Sequence, residues 1–252
     1  MIGVVGGVGP YAGLDLNNKI FEQTIADTDQ DHLSVILLSD ACSIPDRTGY
    51  LLGDIGENPA LGIVDILMKL EAIGATVACI PCNTAHAAPI FDAIKRELDE
   101  RSSRLDLVHM VDEVTAFVQR HVPNVGRLGI LATTGTVRSN VYGESLRRAG
   151  YEIVYPEIQM QEEFVHPAIY DRAYGIKARP NPPHEEARRR LEVAARQLIA
   201  NRAEAIVLGC TELPLAFRQR TIDQIRVIDA NLVLARALVG RVAPDKLRPW
   251  TD

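Results

Sequence analysis

The 252 residues hold no long run of lysine or arginine, and acidic side chains outnumber basic ones, 33 to 27, for a formal charge of −6. The phosphate-backbone attraction that drives nucleic-acid binding is missing, and an anionic small ligand would need a few locally placed cations. No apolar stretch approaches the length that spans a bilayer, and the chain opens MIGVVGG without a basic leader, so a cytoplasmic protein with no membrane partner is expected. Cysteines number four, Cys42, Cys79, Cys82 and Cys210, too few for a secreted disulfide framework. Cys79 and Cys82 form a CxxC, but no second pair and no clustered histidine completes a tetrahedral zinc site. His32, His109, His121, His166 and His184 are scattered, so no metal is expected. Cys79 lies inside the apolar run 77–80 and reads as a small buried hydrophobe. No low-complexity linker is present either, so any two domains are closely joined.

What is there is the balance of a compact globular chain, 47% hydrophobic and 24% charged. β-branched runs at 2–5, 34–38, 76–80, 105–110, 128–131, 152–155, 205–208 and 226–228 read as strands alternating with amphipathic helical stretches, the rhythm of a parallel α/β sheet. One helix is expected after Asn58 as cap, with Pro59 in its first turn and Gly74 as its stop; another covers 183–201, its charge run a solvated face.

The chain also resembles itself. Residues 70–84, LEAIGATVACIPCNT, align with 198–212, LIANRAEAIVLGCTE, at an offset of 128, and 2–10, IGVVGGVGP, with 128–136, LGILATTGT, at 126, so that Gly3 meets Gly129. Two similar α/β halves follow, Rossmann-like or flavodoxin-like, each supplying one cysteine at the carboxyl end of a strand, where open parallel sheets bind ligands. The expected division is 1–102 plus 213–252 for the first domain and 103–212 for the second, with the site in the cleft between them.

Cys82 and Cys210 are each followed by small polar residues and then helix-forming sequence, whose backbone N–H groups would hold a carboxylate and favour a thiolate, lowering a thiol pKa from about 8.5 toward neutrality. Two such thiols on opposite sides of one ligand could remove a proton from a carbon and deliver one to its other face, inverting a stereocentre. GGVGP at 6–10 lacks the full GxGxxG and its lysine, and reads as a tight turn shaping the cleft floor.

GGVGP at 6–10, IPDRT at 44–48, PCNTAH at 81–86, ATTGT at 132–136 and LGCTEL at 208–213 together resemble the aspartate/glutamate racemase superfamily, most nearly its aspartate racemase branch, over about 2–235. The resemblance implies two pseudo-symmetric α/β domains, a homodimer, and cofactor-independent racemisation of a small acidic amino acid by Cys82 and Cys210. It implies that Arg47 grips a substrate carboxylate through its planar fork. Asn83, Thr84 and Thr211 match positions holding the α-carboxylate and amino group, where helix capping is the competing role. Lys177 matches the family's lysine in a YxxxK-like stretch, but extra residues intervene after Tyr170 and Ala178 replaces the expected glycine, so Arg172 or Arg179 could share its task.

Aspartate is the expected substrate, with glutamate next. A maleate cis-trans isomerase or another superfamily enzyme on a small dicarboxylate is the sibling reading, and a non-catalytic binding protein using the same cleft is the alternative from another class. A cysteine amidase pairing Cys82 with His86, four residues on, is a third. Glu212 and Asp46 flank the motifs and could tune a thiol or only cap locally.

Overall fold

The structure, a computed structural model, describes residues 1–251. It divides into two compact units, Met1–Glu113 joined by the C-terminal residues from Asn231, and Val114–Ala230. Each is an α/β sheet covered by helices.

In the first unit, β1 (Ile2–Gly6), β2 (Val35–Ser39), β3 (Val77–Cys79) and β4 (Asp106–Val108) form a wholly parallel sheet in the order β2-β1-β3-β4. β1 is buried along its whole length, as a central parallel strand covered on both faces must be, which is why it reads as an uninterrupted apolar run. The helix Ala60–Ala72 begins where the Asn58 Oδ1 accepts the Ala60 N–H at 2.9 Å, and buries Ile63, Val64, Ile66, Leu67 and Leu70. These residues pack with Val5 and Ala78 from the strands, Ile80 just beyond β3, and Ile90 and Ile94 from the helix Ala88–Glu100 to make the core.

In the second unit, β5 (Arg127–Ala132), β6 (Glu152–Val154), β7 (Ala205–Gly209), β8 (Thr221–Ile222) and β9 (Ile225–Asp229) run in the order β6-β5-β7-β9-β8. All pairs are parallel except β8 with β9. The helix Glu185–Ala200 is capped by the His184 side chain, which accepts the Glu186 N–H, and buries Ala187, Leu191, Ala194, Ala195 and Leu198. Its Arg189 and Arg190 pair with Glu186 on the partly solvated face that the charge run implied.

The sheets share one core plan, second strand, first, third, to which the first unit adds β4 and the second adds β9 and then the antiparallel β8. The repeat reaches individual atoms. A Cβ on Gly3 would lie 3.0 Å from the Ala75 Cβ and 3.3 Å from the Leu70 Cβ, and one on Gly129 would lie 3.0 Å from the Ala203 Cβ and 3.2 Å from the Leu198 Cβ. Each glycine sits on the first strand of its half where the end of the helix leading into the third strand closes over the sheet, leaving no room for a side chain.

Two stretches belong elsewhere than the expected division placed them. The expected division puts residues 105–110 in the second domain, yet β4 pairs with β3 in the first sheet; it puts residues 213–229 in the first, yet β9 pairs with β7 in the second. A strand joins the sheet whose edge takes up its backbone hydrogen bonds. The chain passes between units within the helices Met110–His121 and Ala230–Val242, so no loop-like composition marks the crossing. Among the described residues, no helix is long and apolar enough to cross a membrane.

Candidate active site

The expected site residues fall into two groups, one on each unit: Cys82, Asn83 and Thr84 beyond β3 with Arg47 beyond β2, and Cys210 and Thr211 beyond β7 with Lys177 after the helix His166–Tyr170. In the first unit, β1 leads into the GGVGP turn, where Gly7 has φ +87° and a Cβ would lie 2.7 Å from the Ala41 backbone nitrogen. Only glycine takes that conformation at so close an approach without strain. The next strand, β3, ends at Cys79, whose buried Sγ lies 3.7 Å from the Gly3 carbonyl; burial pushes this thiol up, as its place in the apolar run implied. Cys82 follows, buried, and opens the turn Asn83–His86, in which Asn83 and Thr84 are also buried. The helix Arg47–Leu52 packs against this turn. Asp46 caps that helix, accepting the Gly49 N–H at 2.6 Å, so of its two readings the local one holds.

Arg47 is only 7% exposed. Its Nη1 donates to the Pro45 carbonyl at 3.2 Å and its Nη2 to the Val8 carbonyl of the GGVGP turn. The guanidinium thus ties the Pro45 and Val8 loops together at the start of the helix that packs against the Cys82 turn.

His86 is not a base for Cys82. Its Nδ1–H donates to the Cys82 carbonyl at 2.9 Å, and its Nε2 accepts the Met110 N–H at 3.2 Å. Both ring nitrogens serve the backbone, binding the cysteine turn to the start of the helix Met110–His121. Burial, with nearby His109, pushes the imidazole pKa down to about 3. The ring stacks on Phe91 with centroids 5.0 Å apart. The cysteine amidase reading fails on this geometry.

In the second unit, β7 ends at Gly209 and the next three residues, Cys210, Thr211 and Glu212, are buried. The Cys210 Sγ–H donates to the Glu212 Oε2 at 3.3 Å, and the Lys177 Nζ donates to the Glu212 Oε1 at 2.8 Å. One carboxylate therefore touches both the candidate acid–base thiol and the candidate substrate-binding cation. The expected lowering of the thiol pKa is overturned at Cys210: burial pushes it up and the Glu212 carboxylate adds to this, while Lys177 and the Glu212 backbone N–H oppose without prevailing. The helix behind it, Leu213–Ala216, is a single turn and brings little dipole to bear.

The residues inserted after Tyr170 are looped out. Ile176 N–H donates to the Ala168 carbonyl and Lys177 N–H to the Ile169 carbonyl, returning the chain to the end of the helix His166–Tyr170. Lys177 lies over the Tyr170 ring, 5.6 Å from its centroid, whereas Arg172 and Arg179 are exposed. Lys177 is the cation joined to Glu212.

Gln161 and His166, outside the expected set of site residues, stand at the end of β5. Gln161 begins a π-helical turn, Gln161–Val165, and its Nε2 donates to the Ala132 carbonyl at 3.1 Å and to the Thr134 Oγ1 at 3.3 Å. The Thr134 hydroxyl lies 3.1 Å from the His166 Nδ1. Gln161 shares a buried stripe with Val165, Ala168 and Ile169, and a glutamine at helical spacing within an apolar stripe is the signal that could have revealed it.

Residues 5–238 match the family model described as Asp/Glu/Hydantoin racemase. The chain belongs to that family. It is 25% identical over 245 residues to the broad specificity amino-acid racemase RacX of Bacillus subtilis (strain 168), covering 95% of this chain and 97% of that one. Among solved structures it is similar to the Picrophilus torridus aspartate racemase, with a TM-score of 0.78 and 27% identity over 95% of this chain and 93% of that one. The fold is shared with the glutamate racemase of Francisella tularensis solved with D-glutamate, at a TM-score of 0.63 and 18% identity, covering 100% of this chain and 84% of that one.

Proposed function

We propose that this racemase-family enzyme interconverts the D and L forms of a small amino acid, aspartate first and glutamate next, by two-base proton transfer at Cα without a cofactor. Cys82 and Cys210 stand on opposite faces of the substrate: one takes the α-proton and the other supplies a proton from behind. Arg47 holds a carboxylate in the Cys82 half, with Asn83 and Thr84 beside it, and Thr211 and Lys177 serve the Cys210 half. The observation that carries this reading is the repeat itself: one buried cysteine follows the third strand of each of two sheets whose first three strands share one order. Removal of a weakly acidic α-proton depends on a dry site and fixed dipoles around the carboxylate.

A broader amino-acid range is the second reading, favoured by the Lys177–Glu212 ion pair. A lysine already neutralised by a buried carboxylate discriminates less strongly for an acidic side chain. Both readings are tested by incubating the protein in deuterium oxide with each enantiomer of Asp, Glu, Asn and Ala. Deuterium at Cα of inverted aspartate and glutamate alone supports the acidic substrate; exchange of Asn and Ala as well supports the broader range; no exchange with any of them overturns the racemase reading.

A further inference from the structure

The second unit contains a contact chain that two-thiol chemistry does not by itself require. Lys177, from the loop after the helix His166–Tyr170, reaches one oxygen of Glu212, and Cys210 reaches the other. Glu212 is 7% exposed at its side chain and Lys177 25%, so the pair is shielded from the screening that makes surface ion pairs weak. The charged and titratable groups facing the sulfur are the Glu212 carboxylate, Lys177 and, preceding the helix Gly143–Arg148, the phenol of Tyr142. Burial holds that phenol neutral.

We propose that Glu212 is a positioning residue that joins Lys177 to Cys210: its carboxylate holds Cys210 as the thiol at rest, and it keeps Lys177 close enough to offset the thiolate when that forms. The catalytic consequence rests on the two-thiol reading. When Cys210 acts as donor, its S–H bond breaks, the proton passes to the Cα carbanion and the electron pair stays on sulfur. A thiolate then lies against a carboxylate in a buried site, an arrangement tolerable only while an ammonium is paired with that carboxylate. In reverse, the Cα–H bond breaks, the proton passes to the thiolate and the electron pair stays on Cα. Lys177 thus acts on the proton transfer through Glu212, in addition to any carboxylate it meets on the substrate.

The test is a substrate-free titration of Cys210 by ultraviolet thiolate absorbance, each protein being read as the difference from the same protein carrying Cys210→Ser. Wild-type Cys210 is expected to ionise above the ordinary thiol value of about 8.5. Glu212→Gln, nearly isosteric, should lower the midpoint by about 1 unit or more. Lys177→Met should raise it in the wild-type background but move it little in the Glu212→Gln background, where the carboxylate that ties the lysine to the sulfur is gone; Lys177→Arg should restore the wild-type midpoint. If Lys177→Met alone fails to fold, its unpaired buried carboxylate being the cause, Glu212→Gln and the double variant lack that carboxylate and still give the comparison. An unchanged midpoint in Glu212→Gln, or an equal effect of Lys177→Met in both backgrounds, overturns the proposal. In turnover, Glu212→Gln should lower kcat with KM little changed. Because the titration needs no substrate, its failure is distinct from failure of the racemase reading, which shows as no exchange of α-hydrogen by the wild type.

Discussion

A histidine four residues after a cysteine is a common cue for a nucleophile and its base, and His86 shows why such spacing alone does not assign chemistry. Both of its nitrogens are committed to backbone partners, so the imidazole is neutral in the folded protein. Its pKa is pushed from about 6.5 to about 3, so the unfolded chain binds a proton that the folded one does not throughout that window. Stability is whole above about pH 6.5 and is lost as pH falls toward 3. By chemical denaturation, acidification from pH 7 to pH 5 should lose about 2 kcal/mol through this group, and His86→Gln should flatten that slope. Arg47 makes a second residue-scale case. Its fork meets Val8 and Pro45 at the start of a helix that packs against the Cys82 turn, so Arg47→Lys should raise KM for aspartate about tenfold or more despite the retained charge. An unchanged KM would remove Arg47 from substrate binding. Cys82→Ser and Cys210→Ser should each lower racemisation by at least about 100-fold, as measured by polarimetry.

At the scale of elements, the strands were legible because a parallel strand covered on both faces is an apolar run, and all eight expected strands occur. The ninth, β8, escaped notice since two residues carry no period and its pairing with β9 comes from a turn. The loop after Tyr170 was visible only as an insertion; that it returns Lys177 to the helix end is a matter of backbone hydrogen bonds made to Ala168 and Ile169. Gly129 was aligned with Gly3 by sequence, and the structure supplies the cause in the crowding by Ala203 and Leu198. Gly129→Ala should destabilise the protein by about 1–3 kcal/mol in urea denaturation, since the contacts at 3.0 to 3.2 Å come from a Cβ and a core leucine that can yield little.

For the whole molecule, the internal repeat is the organising fact, and it makes a demand on how the thiols are supplied. If one chain brings both cysteines to one substrate, a mixture of inactive Cys82→Ser and Cys210→Ser proteins stays inactive; recovery of activity on mixing would mean that the thiols come from different chains. The sequence by itself determined the α/β class, the duplication, the buried state of Cys79 and the candidate pair Cys82 and Cys210, because burial periodicity and strand-end chemistry are written locally along the chain. Only the tertiary structure decided that strands 106–108 and 225–229 join the first and second sheets respectively, that His86 is a brace, and that Glu212 links Lys177 to Cys210. Apart from the local Cys210–Glu212 contact, those outcomes depend on which backbone groups and charges meet between residues 21 to 35 positions apart, and there pairing and burial act without regard to sequence order.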